Sequence, residues 1–192
     1  MSICLEGKSC SGKDSVANEL CQMGYKRAIT YTTRPKRIGE VNDRDYHFIS
    51  EGTFLNMIKE NKFLEYKKYK TKEGIWYYGS CLEDVISGRK VIILTPDGAK
   101  KLKEKIPDIS LIFLNTSNKE IKKRMKNRMK LSGENKKELK RRYKSDKKDF
   151  KKVDADFVIF TDGKTPNNIA TTCVVMDYLA KKHNERSDGK YE

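Results

Sequence analysis

Residues 3–15 read Ile3-Cys4-Leu5-Glu6-Gly7-Lys8-Ser9-Cys10-Ser11-Gly12-Lys13-Asp14-Ser15. The segment opens with a short apolar run that predicts a buried strand, and apolar residues recur at helical spacing from Val16 to Cys21. Glycines at both ends of the intervening loop allow backbone amides to curl around phosphate oxygens without Cβ clashes, and the following helix adds its free N–H groups. This strand, loop and helix predict a binding site for the phosphates of a nucleotide.

The loop matches the motif G-x-x-x-x-G-K-[ST] except at its last position, which is Asp14. Lys13 provides the cation for the β- and γ-phosphates of ATP. A carboxylate is a hard oxygen ligand like the usual hydroxyl, so Asp14 is predicted to bind Mg²⁺, directly or through water. The alternatives are that Ser15 takes over this role or that Asp14 caps the helix. The predicted ATP phosphate-binding residues are Gly7, Ser9, Cys10, Ser11, Gly12, Lys13, Asp14 and Ser15.

Strands and helices alternate along the rest of the chain. Apolar runs at 91–94, 110–114 and 157–160 are typical of buried parallel strands, and helical patterns lie between or after them. The alternation predicts an α/β fold with a parallel sheet core flanked by helices. Residues 119–152 interrupt it with a thin apolar stripe among basic residues, which predicts two surface helices joined by a glycine turn. The polar end, 183–192, is predicted to be a frayed tail.

The composition limits the class of protein. The chain has 192 residues and a net charge of +15, and 119–152 contains 17 Lys and Arg against 5 Asp and Glu. Such an excess favours a polyanionic partner: nucleic acid, a membrane surface or a phosphorylated small molecule. We expect no transmembrane helix and no signal peptide, because the apolar runs are too short. Five cysteines without a C-x-x-C pair argue against disulfides and zinc, and favour the cytoplasm.

A second motif points to the acceptor. Residues 30–48 read Thr30-Tyr31-Thr32-Thr33-Arg34-Pro35-Lys36-Arg37-Ile38-Gly39-Glu40-Val41-Asn42-Asp43-Arg44-Asp45-Tyr46-His47-Phe48, which closely resembles the T-T-R-x-x-R-x-G-E-x-x-x-x-D-Y-x-F signature of guanylate kinases. Phe63-Leu64-Glu65 and Tyr77-Tyr78-Gly79-Ser80 are similar to two further elements of that family, F-[IL]-E and Y-Y-G-[ST], and 119–152 resembles its lid. The resemblance spans about residues 3–180.

The resemblance implies one guanylate-kinase-like domain with a P-loop NTPase-type core. We expect the core at 1–29, 79–118 and 153–182, a small mixed α/β monophosphate-binding subdomain at 30–78, and a basic helical lid at 119–152. The implied reaction transfers the γ-phosphate of ATP to GMP, and also dGMP, with Mg²⁺. Lid arginines would close over ATP and exclude water. The candidate catalytic residues are Lys13, Arg34, Arg124, Arg128 and Arg142.

The resemblance also implies an acceptor site. A carboxylate accepts hydrogen bonds from both N1–H and the 2-amino group of guanine, and arginine grips phosphate with two parallel donors. The family's base-reading positions correspond here to Thr30, Glu65 and Ser80. The family usually has an Asp-x-Asp pair after the strand that corresponds to 91–94, and Asp97 is the candidate for part of that pair. The residues expected around the phosphate are Arg34, Arg37, Glu40, Tyr46 and Tyr78.

Some features depart from the family pattern. Lys70 to Ile75 lengthens what we expect to be a loop beside the base pocket, and Met129 follows an arginine where the family has glycine. Two alternatives therefore stay open: a related kinase with another acceptor (a broader deoxynucleoside monophosphate or a phosphorylated ribose), and a non-catalytic guanylate-kinase-like binding module. We expect a monomer or homodimer, no membrane association, and only weak, salt-dependent binding of nucleic acid.

Overall fold

The computed structural model describes residues 2–37, 39–71, 74–86, 88–132 and 136–187. Its elements alternate as the sequence predicts. In chain order they are β1 (Ile3–Glu6), α1 (Lys13–Gln22), β2 (Lys26–Arg27), β3 (Tyr31–Thr32), β4 (His47–Phe48), α2 (Glu51–Lys59), β5 (Phe63–Thr71), β6 (Gly74–Cys81), α3 (Glu83–Ile86), β7 (Lys90–Ile93), α4 (Pro96–Lys105), β8 (Ser110–Asn115), α5 (Asn118–Ser132), α6 (Lys136–Asp149), β9 (Phe157–Phe160) and α7 (Pro166–Ser187).

The core is a five-stranded sheet in the order β2-β7-β1-β8-β9 with every pair parallel. Side chains alternate across β1, so Ile3 and Leu5 pack with α1 and α7 while Cys4 packs with α3 and α4 on the other face. Both faces are therefore buried, which explains why the central strands are apolar runs rather than alternating ones. The parallel core that the sequence predicts is confirmed.

A second sheet has the order β4-β3-β6-β5 and is mixed, because β3 pairs in parallel with β4 and antiparallel with β6. Helix α2 packs on it through Phe54, whose ring stacks on Phe63 at 4.3 Å between centroids. Strands β5 and β6 form one long antiparallel hairpin in which Lys70 pairs with Ile75. The loop predicted at Lys70 to Ile75 is therefore wrong: apart from residues 72–73, outside the described ranges, this stretch extends both strands.

Two boundaries differ from the expected ones. Strand β6 continues to Cys81, so the second sheet extends beyond residue 78, and α7 continues to Ser187, into the segment expected to be frayed. The two lid helices, α5 and α6, are present, whereas the predicted glycine turn between them falls in 133–135, outside the described residues. Within the described ranges, no helix combines the length and apolarity that crossing a membrane requires.

Candidate active site

A cleft of about 540 Å³ lies at the carboxyl edge of the parallel sheet. Its walls are the loop between β1 and α1, one face of the β5–β6 hairpin, and lid residues of α5 and α6. Ligands of open α/β sheets usually bind at this edge. The cleft brings together predicted residues from all three parts of the chain: Gly7, Ser9, Cys10, Lys13, Asp14, Thr30, Arg34, Arg37, Glu40, Tyr46, Glu65, Tyr78, Ser80, Arg128 and Arg142.

The loop between β1 and α1 has the backbone shape that its glycines predict. Gly12 has φ of 99°, in the left-handed region, and a Cβ on Gly7 would lie 2.5 Å from Ser11 Oγ. The Lys13 ammonium group folds back over the loop and donates to the carbonyl oxygens of Gly7 (2.6 Å) and Lys8 (2.9 Å). Burial lowers the pKa of Lys13. Ser11 and Gly12 in this loop, and Ser15 in the first turn of α1, do not line the cleft.

Asp14 lies in the first turn of α1, where the positive end of the helix dipole stabilises its negative charge. Gly12 occupies the N-cap position, so the alternative that Asp14 caps the helix is wrong. The Asp14 side chain is 75% exposed and forms an ion pair with Arg27. Desolvation raises the pKa of Asp14, but Arg27 and Lys13 outweigh it and the net shift is downward. A carboxylate therefore stands charged at the edge of the loop.

Arg34 is held in a fixed orientation in the wall of the cleft. Only 4% of its surface is exposed, and Glu40 accepts from both terminal nitrogens, at 2.9 and 2.8 Å. Glu40 also accepts from the backbone N–H of Arg37 at 2.8 Å. Burial raises the pKa of Glu40, while these bonds outweigh that effect and lower it overall. The Arg34 guanidinium also lies 5.5 Å from the ring centroid of Tyr46.

The Glu65 carboxylate is bonded to Thr95 and occupies space that a side chain on Gly98 would fill. The Thr95 hydroxyl donates to Glu65 Oε2 at 2.8 Å, and a Cβ on Gly98 would lie 2.2 Å from the same oxygen. Burial raises the pKa of Glu65, and the bond from Thr95 partly offsets this. Asp97 is exposed in the first turn of α4 and does not line the cleft, so Thr95 takes the place that we expected for Asp97. The sequence signal for this arrangement is Gly98, because a residue without a side chain leaves room for the Glu65 carboxylate.

The cleft-facing side of the hairpin follows its register. Lys67 pairs with Tyr78 and Tyr69 with Trp76, and these four side chains line the cleft in line with Glu65. Strands rise about 3.3 Å per residue, so the extension near Thr71 lies about 20 Å along β5 from Glu65. The extra residues therefore lengthen the cleft wall at the end opposite Glu65, away from the position that the resemblance implies for the base.

Comparison with known proteins identifies the fold and its family. The guanylate kinase family model matches residues 1–172. The chain belongs to the guanylate kinase family. Guanylate kinase of Blochmanniella floridana is 32% identical over 185 residues, which cover 91% of this chain and 75% of that protein. Guanylate kinase of Caldanaerobacter subterraneus subsp. tengcongensis is 36% identical over 151 residues, or 74% of this chain and 70% of that protein.

The fold is also that of a guanylate kinase. The crystal structure of guanylate kinase from Anaplasma phagocytophilum superposes with a TM-score of 0.62 at 21% identity, and the match covers 95% of this chain and 85% of that one. Membership of the guanylate kinase family makes the chain an ATP:GMP phosphotransferase, which confirms the enzyme class that the resemblance implies. The predicted family and fold class are both confirmed.

The lid of this guanylate kinase family member divides its arginines between two places. Arg124 donates to the carbonyl oxygen of Ser11 at 2.9 Å, so it supports the phosphate loop from outside the cleft. Arg128 and Arg142 line the cleft, as does Arg141, whose guanidinium lies 4.7 Å from the ring centroid of Tyr69. The catalytic roles predicted for these arginines stay predictions. Their positions show which of them face the space for substrate.

Proposed function

We propose that the chain transfers the γ-phosphate of ATP to GMP, and also to dGMP, in a reaction that requires Mg²⁺. The observation that carries the choice of base is Glu65, a carboxylate fixed by Thr95 in the cleft that also contains Lys13. Guanine presents N1–H and a 2-amino group side by side, and one carboxylate can accept from both. Ser80 pairs directly with Glu65 across the hairpin, and Thr30 lines the same cleft.

The acceptor phosphate would bind at the arginine pair. Arg34 is already oriented by Glu40 before a ligand binds, and Arg37, Tyr46 and Tyr78 line the same part of the cleft. A dianionic phosphate suits a planar guanidinium with several donors. None of the proposed base and phosphate contacts involves the 2′-hydroxyl of the ribose, which is why dGMP is included.

The donor would bind at the phosphate loop, with its β- and γ-phosphates at the loop amides and at Lys13. The acceptor phosphate is anionic at neutral pH, so the chain needs no strong base. Its contribution is to align the two phosphates and to surround the moving group with cations. Arg128 and Arg142 would provide lid charges over the transferred group, since both line the cleft.

The residues present fit a magnesium ion that arrives with ATP. Among the described residues, no group of three His, Cys, Asp or Glu side chains forms a metal site. Mg²⁺ usually keeps several waters and takes its other ligands from substrate phosphates and one or two carboxylates. Asp14 offers such a carboxylate at the edge of the loop, directly or through water. The ion would neutralise the charge that builds up on the phosphate oxygens.

The test is release of ADP from Mg-ATP with a panel of acceptors: GMP, dGMP, AMP, CMP, UMP, dTMP and ribose 1,5-bisphosphate. We expect turnover with GMP and dGMP alone. Glu65→Gln should lower kcat/KM for both, because the amide replaces one acceptor oxygen by a donor, while Tyr66→Phe on the exposed side of the same strand should not. Turnover with another acceptor would refute the guanine assignment, and no turnover with ATP still bound would favour the binding module.

We further propose that the chain works in the cytoplasm. All five cysteines are free, and Cys10 lines the nucleotide cleft. Free thiols persist in a reducing compartment. That the chain is a monomer or a homodimer stays a prediction, which a measurement of its molar mass by light scattering would test.

A further inference from the structure

The lid helix α6 places a carboxylate in the phosphate loop. Asp146 Oδ2 accepts a hydrogen bond from the backbone N–H of Ser9 at 2.7 Å, although the two residues are 137 positions apart. The Asp146 residue is only 9% exposed and lines the cleft beside Lys13. Neither the phosphate-loop motif nor the basic composition of the lid predicts this contact.

The donor in this contact is one that a nucleotide needs. Backbone N–H groups of such a loop are the donors that phosphate oxygens accept from, and a carboxylate oxygen is an anionic acceptor of similar size. The carboxylates of Asp14 and Asp146 also act on Lys13, where they counteract the lowering of its pKa by burial. Asp146 therefore interacts with both kinds of group, amide and ammonium, that are proposed to bind ATP.

We infer that Asp146 is an internal anion that occupies the donor phosphate site until ATP displaces it, and that it thereby sets the affinity for ATP. This inference rests on the proposed function. A triphosphate and the Asp146 carboxylate cannot both accept from the Ser9 N–H, and their like charges repel. The measured Kd for ATP is then the intrinsic Kd divided by the fraction of molecules in which Asp146 has left the loop.

The rest of α6 shows how the carboxylate would leave. The helix is attached to the hairpin by the ion pair between Asp149 and Lys67 (3.4 Å) and by Arg141 on Tyr69. Phe150, directly after the helix, attaches it to the core, because its ring stacks on Phe113 at 5.8 Å between centroids. None of these contacts uses the phosphate loop. Loss of the Ser9 contact alone would therefore leave the lid docked on the acceptor side, with its arginines still along the cleft.

The experiment is calorimetric titration of Mg-ATP, without acceptor, into wild type, Asp146→Asn and Asp149→Asn. Asp146→Asn keeps the shape of the side chain and removes its charge, so we expect it to bind ATP about 10-fold more tightly, the scale of one charge-assisted hydrogen bond. Asp149→Asn is the matched control one helical turn away, and its Kd should stay within about twofold of wild type because its carboxylate pairs with Lys67.

The outcomes separate this inference from the proposed function. Equal or weaker binding of ATP by Asp146→Asn would overturn it, and weaker binding would make Asp146 part of the ATP-bound site instead. Asp146→Ser is a second variant with the same expected gain, in case Asp146→Asn does not fold. Lys13→Ala in the same titration tests the donor site itself: if it loses binding while Asp146→Asn is unchanged, only the role of Asp146 is refuted.

Discussion

The proposed acceptor side of the cleft and the phosphate loop differ in the partners of their charged groups. On the acceptor side, Arg34 is bound by Glu40 and Glu65 by Thr95, so neighbouring side chains hold both at the cleft wall. In the phosphate loop, Lys13 donates to backbone carbonyls of the loop itself, and the Ser9 N–H donates to Asp146. Under the proposed function, the acceptor groups are therefore in position before a ligand arrives, whereas the donor groups must exchange partners when ATP binds.

Removal of the Lys13 or the Arg34 cation should give the largest effects. The two variants should also distinguish the donor side of the cleft from the acceptor side. Lys13→Ala is expected to lower kcat by about 100- to 1,000-fold, because the cation proposed for the transferred phosphoryl group is lost. Arg34→Ala should lower kcat/KM for GMP on a similar scale and leave the Kd for ATP unchanged. Steady-state kinetics and ATP titration measure both. Near wild-type turnover in either variant, or loss of ATP binding by Arg34→Ala, would contradict this division.

The preorganised side can be disturbed without removing any polar group. In Gly98→Ala the new Cβ would lie 2.2 Å from Glu65 Oε2, so the carboxylate must move. A shift of about 1 Å at a positioned group can cost about 100-fold, and we expect the KM for GMP to rise by about 10- to 100-fold with an unchanged Kd for ATP.

The control for Gly98→Ala is Gly52→Ala in α2, where the nearest heavy atom to a new Cβ is 3.9 Å away. Alanine favours a helix over glycine, so this variant should be at least as stable as wild type and equally active. An unchanged KM in Gly98→Ala would show that Glu65 is not held in the way that the contact suggests.

Two carboxylates whose pKa is raised by burial extend the comparison to stability. Glu65 has Thr95 as a partner, whereas Glu6, directly before the phosphate loop, is 0% exposed and both its oxygens lack a hydrogen-bond partner among the described residues. Burial, and then Asp154 and Asp156, raise the pKa of Glu6 from 4.5 to about 7. The folded protein therefore binds this proton more tightly than the unfolded chain does. Its stability falls as pH rises from the unfolded value through about 7.

Glu6→Gln should remove the loss of stability that ionisation of Glu6 causes as the pH rises. We expect its free energy of unfolding at pH 8 to exceed that of wild type by about 2–3 kcal/mol, and the difference should shrink towards pH 5, where the wild-type carboxyl is protonated. Urea unfolding at both pH values measures it. A difference independent of pH would mean that Glu6 is not the titrating group.

The smallest expected effect concerns Asp14, whose side chain is largely exposed and already forms an ion pair with Arg27. If its carboxylate helps to bind Mg²⁺, Asp14→Ala should raise the Mg²⁺ concentration for half-maximal activity by about threefold, and Asp14→Ser should raise it less because a hydroxyl is also an oxygen ligand. Magnesium titrations of ATP turnover compare the three proteins. Identical curves would refute a role in metal binding.

The sequence predicts those parts of the molecule whose signals are local. The glycines of the phosphate loop, the apolar strands and the contiguous signature at 30–48 each lie within one short segment. Asp97 was misplaced because the N-cap at Thr95 and Pro96 at the start of α4 turn the next residue outward, and this depends on helical phase. The contact of Ser9 with Asp146 joins two ends of the chain, and no local pattern predicts it.

The extended hairpin also gives the protein an optical property. Trp76 is the single tryptophan of the chain, and it stands in the cleft wall opposite Tyr69, whose ring contacts Arg141 of the lid. Indole emission shifts to shorter wavelength and changes in intensity when water around the ring is replaced by nucleotide or protein. Intrinsic fluorescence therefore reports on this one place, where the cleft wall and the lid meet, in the unlabelled wild-type chain.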